Sequence, residues 1–204
     1  MEISLMSDFN RRRILAGLVA SAAITLGTPA LALTTAEARS MINSAVGEIN
    51  AVINSGKSEA AMYRDFERIF EKYSDVPTIS RSALGPPARS MSASDLSKFT
   101  DAFTGYMSRK YGKQFRDFIG GEVSVTGARQ VKNFQEVQAV ANLRGQAPFR
   151  ISFMVSDRSG QDKFFDLLIE GVSLLKSERA EVGAMYDASG RNIDRLVQRL
   201  NASG

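Results

Sequence analysis

The spacing of apolar residues changes abruptly at Gly120 and Gly121, and this change restricts the possible folds more than any other feature of the sequence. Before the glycine pair, apolar residues recur about every 3.6 positions, which is typical of helices. After the pair they alternate with polar residues, as in strands, and from Gly171 the helical period returns. Helices and strands therefore form separate runs along the chain, an order typical of an α+β domain.

Three amphipathic helices are predicted before the glycine pair. Thr34 and Glu37 can form a capping box at the start of the first helix. Ser58 can cap the second helix, and Pro77 interrupts its apolar stripe. The third helix begins near Ser92. Its apolar face is expected to carry three aromatic residues: Phe99, Phe103 and Tyr106.

Four strands are predicted after the glycine pair, at 122–126, 136–144, 149–155 and around 165–169. Short turns between them indicate an antiparallel sheet. In the last three strands the apolar residues occupy odd-numbered positions, so they share one face of the sheet. The residues expected on this inward face are Val137, Ala139, Ala141, Phe149, Ile151, Phe153, Phe165, Leu167 and Ile169.

Two further helices follow the strands, and we predict helices packed on one face of a curled antiparallel sheet of about four strands. Such layers either interdigitate into a solid core, which ordinary packing density favours, or stand apart around an apolar cavity. The small residues Ala139 and Ala141 and the large rings of Phe99, Phe103 and Tyr106 favour the cavity.

The composition excludes most familiar enzyme chemistry, because the 204 residues include no Cys, no His and no Trp. Without imidazole or thiol there is no serine–histidine relay and no zinc or haem site of the usual kind. Catalysis could then use only carboxylate, Lys, Tyr or Ser groups, and a metal site only the oxygen ligands that suit calcium or magnesium. A net charge of +4 is too small to indicate nucleic-acid binding. Together with the family resemblance given below, the composition leads us to expect no enzymatic activity, no cofactor and no metal.

Two alternatives stay open at this level. The first is a small cone-shaped α+β enzyme, in which a pocket carboxylate acts as a general base, with Asp166 and Glu170 as candidates, or a binding module for another hydrophobic ligand. The second alternative is an adaptor domain with a solid core. The basic residues around the third helix, which include Arg109, Lys110 and Arg116, either form a solvated face or contact phosphate groups.

Residues 1–32 have the three parts of a secretory signal peptide. The basic stretch Arg11–Arg13 precedes an apolar run, Ile14–Leu26, and small residues end the segment at Ala32. The apolar run is shorter than the roughly 20 residues that span a bilayer. We predict cleavage after Ala32 and export to the periplasm, by the Sec route or by the twin-arginine route that Asn10 and the arginines resemble. Residues 33–204 would then form a single domain.

Several segments resemble the MlaC family of toluene-tolerance proteins. The most specific is DLLIEGVS at Asp166–Ser173, and three others occur in the matching order: FEKYSD at Phe70–Asp75, the Leu84–Gly85 pair and the helix Phe99–Tyr111. The family commonly has Trp near two segments that lack it here, 86–89 and 162–165. The chain is identified as a divergent member.

The resemblance implies a monomeric periplasmic carrier that shelters phospholipid acyl chains between the sheet and the helices. It also implies two partners, an inner-membrane ABC transporter complex with an MCE-domain protein and an outer-membrane lipoprotein complex. The carrier would move lipid between the two membranes and so maintain outer-membrane lipid asymmetry. The resemblance and the predicted inward face of the sheet together give the expected ligand-binding residues. They are the three aromatic residues of the third helix and the nine inward residues of the strands.

Overall fold

The computed structural model describes residues 32–114 and 118–204, so the predicted signal peptide lies outside the described residues except for Ala32. Ala32–Gly204 form one compact unit. The α+β prediction is confirmed: within the described residues, helices precede an antiparallel sheet and two more helices follow it. The helices are α1 (Thr35–Ile53), α2 (Glu59–Tyr73), α3 (Val76–Leu84), α4 (Ala93–Gln114), α5 (Leu174–Ala188) and α6 (Ile193–Ala202). The strands are β1 (Glu122–Val131), β2 (Phe134–Asn142), β3 (Phe149–Ser156), β4 (Lys163–Ile169) and β5 (Val172–Ser173).

Local sequence signals account for most helix starts. Thr34 and Glu37 form the predicted capping box, in which Thr34 Oγ1 accepts from the Glu37 N–H. The segment around Pro77 does more than end α2, because it begins α3, a helix that the spacing did not predict. The Asp75 carboxylate accepts from the Thr78 N–H at 3.1 Å, and Pro77 lies in the first turn, where a backbone N–H has no helical partner.

The sheet has the order β1-β2-β3-β4-β5, with every neighbouring pair antiparallel. Its curl is accompanied by two interruptions of register, one in β1 between Val125 and Gly127 and one between β3 and β4. In the second, Val155 pairs with Phe164 and Met154 pairs with Asp166. One extra residue, Phe165, is therefore inserted in β4.

The extra residue reverses the facing of one predicted side chain. Phe165 lies on the outer face, with its ring edge-to-face against Phe134 and the ring centroids 5.5 Å apart. Phe164 takes the inward position, where its ring meets those of Phe153 and Phe70. The expected inward facing of Phe165 is therefore wrong, because a strict alternation of two does not continue through a bulge.

The apolar interior of the described chain has three parts, of which the smallest lies between α1 and α2 and includes Ile53 and Phe66. Another lies among α3, α4, α5 and α6 and includes Phe99, Phe103 and Leu196. The third lies between α1 and the sheet and includes Ile42 and Val137. None of the helices in the described part of the chain is long and apolar enough to cross a membrane.

Candidate functional site

A cavity of about 390 Å³ lies between the helices and the inner face of the sheet. Its volume falls within the range of small-molecule sites, about 300–1,000 Å³. The α2 stripe contributes Phe66, Ile69 and Phe70, and α1 contributes Ala45 and Ile49. The β3 and β4 strands contribute Phe149, Ile151, Phe153, Phe164, Leu167 and Ile169. Most of the wall is therefore apolar.

The cavity reaches the surface beside the turn between β2 and β3. Gln146 in this turn belongs to the wall and is exposed, whereas Phe118 and Phe149 are half-buried. The rings of Phe118 and Phe149 meet edge-to-face with centroids 6.0 Å apart. We call this end, defined by Phe118, Gln146 and Phe149, the mouth.

Five of the twelve expected ligand-binding residues lie in the cavity wall. They are Phe149, Ile151, Phe153, Leu167 and Ile169, all at odd-numbered positions of β3 and β4. Cross-strand pairing places Ile151 opposite Ile169 and Phe153 opposite Leu167. The alternating pattern placed these side chains on the correct face because β3 and most of β4 are regular.

Three other expected residues lie on the inward face but outside the cavity wall. Val137, Ala139 and Ala141 are fully buried in one cluster with Ile42 and Val46 of α1. These three side chains pack with the α1 side chains in a buried cluster, so they belong to close-packed core and not to the cavity wall. The same small residues that suggested a cavity are therefore part of a solid contact.

The aromatic residues expected from the third helix face away from the cavity. Phe99, Phe103 and Tyr106 pack in the core formed by α3 to α6. The α4 wall is instead formed by Met107, Ser108, Tyr111 and Gly112. Both faces of α4 are largely apolar, so helical periodicity alone does not distinguish the face toward the cavity. Phe165, on the outer face of the sheet, also lies outside the wall.

A partly buried network of charged and hydroxyl groups joins α4 to α5 beside the wall. Lys110 Nζ contacts Glu178 at 2.7 Å and Glu181 at 2.6 Å, while Tyr106 donates to Glu181 at 2.7 Å. Tyr111 donates to Glu178, whose side chain is 1% exposed. The polar tip of Tyr111 is therefore held by Glu178, while its ring faces the cavity.

The network shifts the ionisation of its members in consistent directions. Burial raises the pKa of Tyr106 and of Tyr111, and the hydrogen bonds that their hydroxyls donate to Glu181 and Glu178 raise it further. Burial alone would lower the pKa of Lys110, but its hydrogen bonds to Glu178 and Glu181 raise it. The hydrogen bond from Lys110, followed by that from Tyr106, lowers the pKa of Glu181. Lys110 is thus cationic and the tyrosines are neutral at neutral pH.

Most basic residues near α4 are engaged with the protein itself. Arg109 donates to the carbonyl oxygens of Leu200 and Ser203 at 2.7 and 3.0 Å, and Lys113 donates to that of Gly204 at 2.6 Å. Arg129, on the outer face, pairs with Glu136 at 2.6 Å. Arg116 lies outside the described residues. These contacts support structural roles rather than a phosphate site.

The candidate general bases also lie away from the cavity. Asp166 accepts from Ser173 Oγ at 2.6 Å and from the Leu175 N–H at 3.0 Å, so it fixes the start of α5. Glu170 is exposed and pairs with Arg150 at 3.2 Å. Among the described wall residues there is no Asp or Glu.

Comparisons with known proteins agree with this geometry. The model of the MlaC protein family matches residues 43–202. The chain belongs to the MlaC family. The phospholipid-binding protein from Ralstonia solanacearum, solved in complex with a phospholipid, has a similar structure, with a TM-score of 0.69 and 17% sequence identity. The match covers 81% of this chain and 95% of that one, and at this identity it shows the shared fold. No curated protein matches the chain in sequence.

In this MlaC-family chain, the DLLIEGVS segment forms the second half of β4, a tight turn, β5 and the N-cap of α5. Glu170 and Gly171 occupy the turn with φ angles of 48° and 82°, a backbone conformation typical of two-residue hairpin turns. Asp166 and Ser173 then meet at the α5 N-terminus. The segment that carries the resemblance thus has a structural role, because it returns the chain from the sheet to the helices.

Proposed function

We propose that this chain is a soluble carrier that binds phospholipid in the cavity between sheet and helices. One observation carries the proposal: the MlaC-family fold encloses a cavity of about 390 Å³ whose wall is almost entirely apolar. Acyl chains occupy such a cavity favourably, because each methylene removed from water contributes about 0.8 kcal/mol. The five expected strand residues, together with the α2 stripe, would contact the chains.

The proposal extends to the carrier's place in the cell. A signal peptide at 1–32, cleaved after Ala32, would deliver the domain to the periplasm. There the carrier would exchange lipid with an inner-membrane MCE-domain ABC transporter and an outer-membrane lipoprotein complex, maintaining outer-membrane lipid asymmetry. The family membership supports this role. A carrier of this kind requires no catalytic group and acts as a monomer.

Native mass spectrometry of the protein purified from periplasm, followed by lipid extraction, tests the binding proposal. We expect one phospholipid per protein and a signal peptide absent from the mature mass. Protein that carries no phospholipid, even after incubation with phospholipid vesicles, would contradict the proposal.

Two neighbouring substitutions locate the binding site. Leu167 lies in the cavity wall, and Leu168 lies on the outer face of the same strand. Leu167→Trp fills the cavity and should reduce phospholipid occupancy several-fold, whereas Leu168→Trp adds the same volume outside it and should leave occupancy unchanged. Equal occupancy in the two variants would place the lipid elsewhere.

A further inference from the structure

Leu33, the first residue after the predicted cleavage site, is held in place at three points. Its side chain is 8% exposed and packs in the buried cluster between α1 and the sheet. Its carbonyl oxygen accepts from Gln135 Nε2 at 3.0 Å, and its backbone nitrogen donates to Asp157 Oδ2 at 3.0 Å. The preceding residue, Ala32, is exposed. The nitrogen of Leu33 therefore has a defined position in the fold, directly beside a carboxylate.

The surroundings of this nitrogen carry negative charge. Asp157 and Asp162 lie in the turn between β3 and β4, and Glu37 lies in the first turn of α1. Desolvation, followed by the negative charges of Glu37 and Asp157, raises the pKa of Asp162, so Asp162 lies near both carboxylates. None of the three pairs with a Lys or Arg of the described residues. A positive charge on the Leu33 nitrogen would therefore be stabilised here.

Cleavage of the peptide bond between Ala32 and Leu33 supplies such a charge. In the precursor, the Leu33 nitrogen belongs to that bond and is a neutral N–H donor. Hydrolysis adds one water molecule across the bond, so Ala32 leaves as a carboxylate and the released proton converts the Leu33 nitrogen to an ammonium group. An α-amino group ordinarily has a pKa of about 7.7–8.0, and a neighbouring carboxylate favours its charged form.

We propose that Leu33 is the amino terminus of the mature protein and that its α-ammonium group forms an ion pair with Asp157. The inference rests on the signal peptide of the proposed function and adds to it a contact that depends on processing. A neutral hydrogen bond in the precursor becomes a charge-assisted one, which is about twice as strong. Removal of the signal peptide thus stabilises the junction between the start of α1 and the β3–β4 turn.

The position of the amino terminus is tested first. The full-length chain is expressed with its own signal peptide, the protein is purified from periplasm, and intact mass spectrometry measures its mass. We expect the mass of residues 33–204. A mature chain that begins at any other residue would overturn the proposal, because no ammonium group would then lie at the Leu33 nitrogen.

An insertion separates the charge from the hydrogen bond. Two glycines placed between Ala32 and Leu33 leave the residues before the cleavage site unchanged and keep the Leu33 N–H, but they move the ammonium group two residues away. We expect the insertion to raise the equilibrium constant for unfolding of the lipid-free mature protein roughly fivefold at pH 7, measured by urea denaturation, because a charged hydrogen bond is replaced by a neutral one.

Two carboxylate variants assign the effect of the insertion to one partner. In an Asp157→Asn background the side chain can still accept a hydrogen bond but carries no charge, so the insertion should leave the unfolding constant unchanged. The matched variant Asp187→Asn removes an exposed carboxylate of α5 that pairs with Arg191, and the fivefold effect should persist in it.

The outcomes distinguish this inference from the proposed function. If the insertion has no effect on otherwise wild-type protein, or the same effect in the Asp157→Asn background, the ion pair is absent although export and lipid binding stand. If the purified protein retains residues 1–32, the proposed export and the inference both fail. A mature protein that begins at Leu33 and shows the charge effect, but carries no phospholipid, would contradict the carrier function alone.

Discussion

Helix α4 separates two apolar regions that differ in packing although they share one helix. On one side, Phe99, Phe103 and Tyr106 interlock with α3, α5 and α6 in a solid core. On the other, Met107 and Tyr111 face α2 and the sheet across a cavity of about 390 Å³. The apolar residues of the two faces are similar, so composition does not decide which side is closed. The neighbouring elements decide it: α3, α5 and α6 close one face of α4, whereas on the other face α2 packs beside the helix and the sheet lies across the cavity.

The largest contrast between the two regions should appear when one ring is removed from each. Phe103→Ala creates a void in the solid core and should lower the free energy of unfolding by about 3–5 kcal/mol. Phe149→Ala removes a half-buried ring that already borders the cavity and should cost only about 1–2 kcal/mol. Denaturant unfolding of lipid-free protein measures both. Equal losses would mean that the two regions do not differ in packing.

The network beside the wall offers a second comparison. Lys110→Met leaves the buried Glu178 carboxylate without its cation and should lower the free energy of unfolding by about 2–4 kcal/mol. The matched variant Lys72→Met breaks an exposed ion pair with Glu48 and should cost less than about 1 kcal/mol. If thermal unfolding shows the same loss for both variants, burial does not strengthen the α4–α5 connection.

The pH dependence of stability should report the same network more weakly. Because Lys110 and Tyr106 lower the pKa of Glu181 in the folded state, this carboxylate stabilises the fold above its unfolded pKa of about 4.5. The contribution is lost as the pH falls through the lower, folded pKa. Glu181→Gln should therefore flatten the decline of stability below about pH 4.5, measured by urea unfolding across pH. An unchanged acid limb would contradict the assigned shift.

The smallest effect should come from Ser108, whose buried hydroxyl has no hydrogen-bond partner among the described residues. Ser108→Ala in lipid-free protein should raise the free energy of unfolding by about 0.5–1 kcal/mol, because it removes an unpartnered polar atom and introduces a better helix former. Thermal unfolding of delipidated protein measures the change. A clear loss of stability would show that the hydroxyl already has a partner in the empty protein.

Local signals in the sequence predicted much of the fold. The capping residues Thr34 and Glu37, the change of period at Gly120 and the alternation through β3 each depend on neighbours within a few positions. The start of α3 was missed because the same residues that end α2 also begin α3. Asp75 caps the new helix and Pro77 lies in its first turn.

The candidate site was predicted less completely, because the direction in which a side chain points depends on contacts with residues far away in the sequence. Ala139 and Ala141 pack in a buried cluster with residues of α1, and no pattern within β2 indicates that helix. The bulge in β4 moved Phe165 outward and Phe164 inward, although both are phenylalanine. The unpartnered hydroxyl of Ser108 could not be predicted from the sequence, because its burial and its lack of a partner depend on the packing of the folded chain.

The bulge in β4 also gives the cavity a way to vary during evolution. Residues on either side of the extra position face in a fixed direction, but the insertion or loss of one residue there would exchange the roles of adjacent side chains without altering the β1–β2 and β2–β3 pairings. Related proteins of this family can thus change the shape of the cavity wall through single-residue length differences. Sequence comparisons across this family should therefore allow a gap between Phe164 and Asp166 before residues are assigned to a wall.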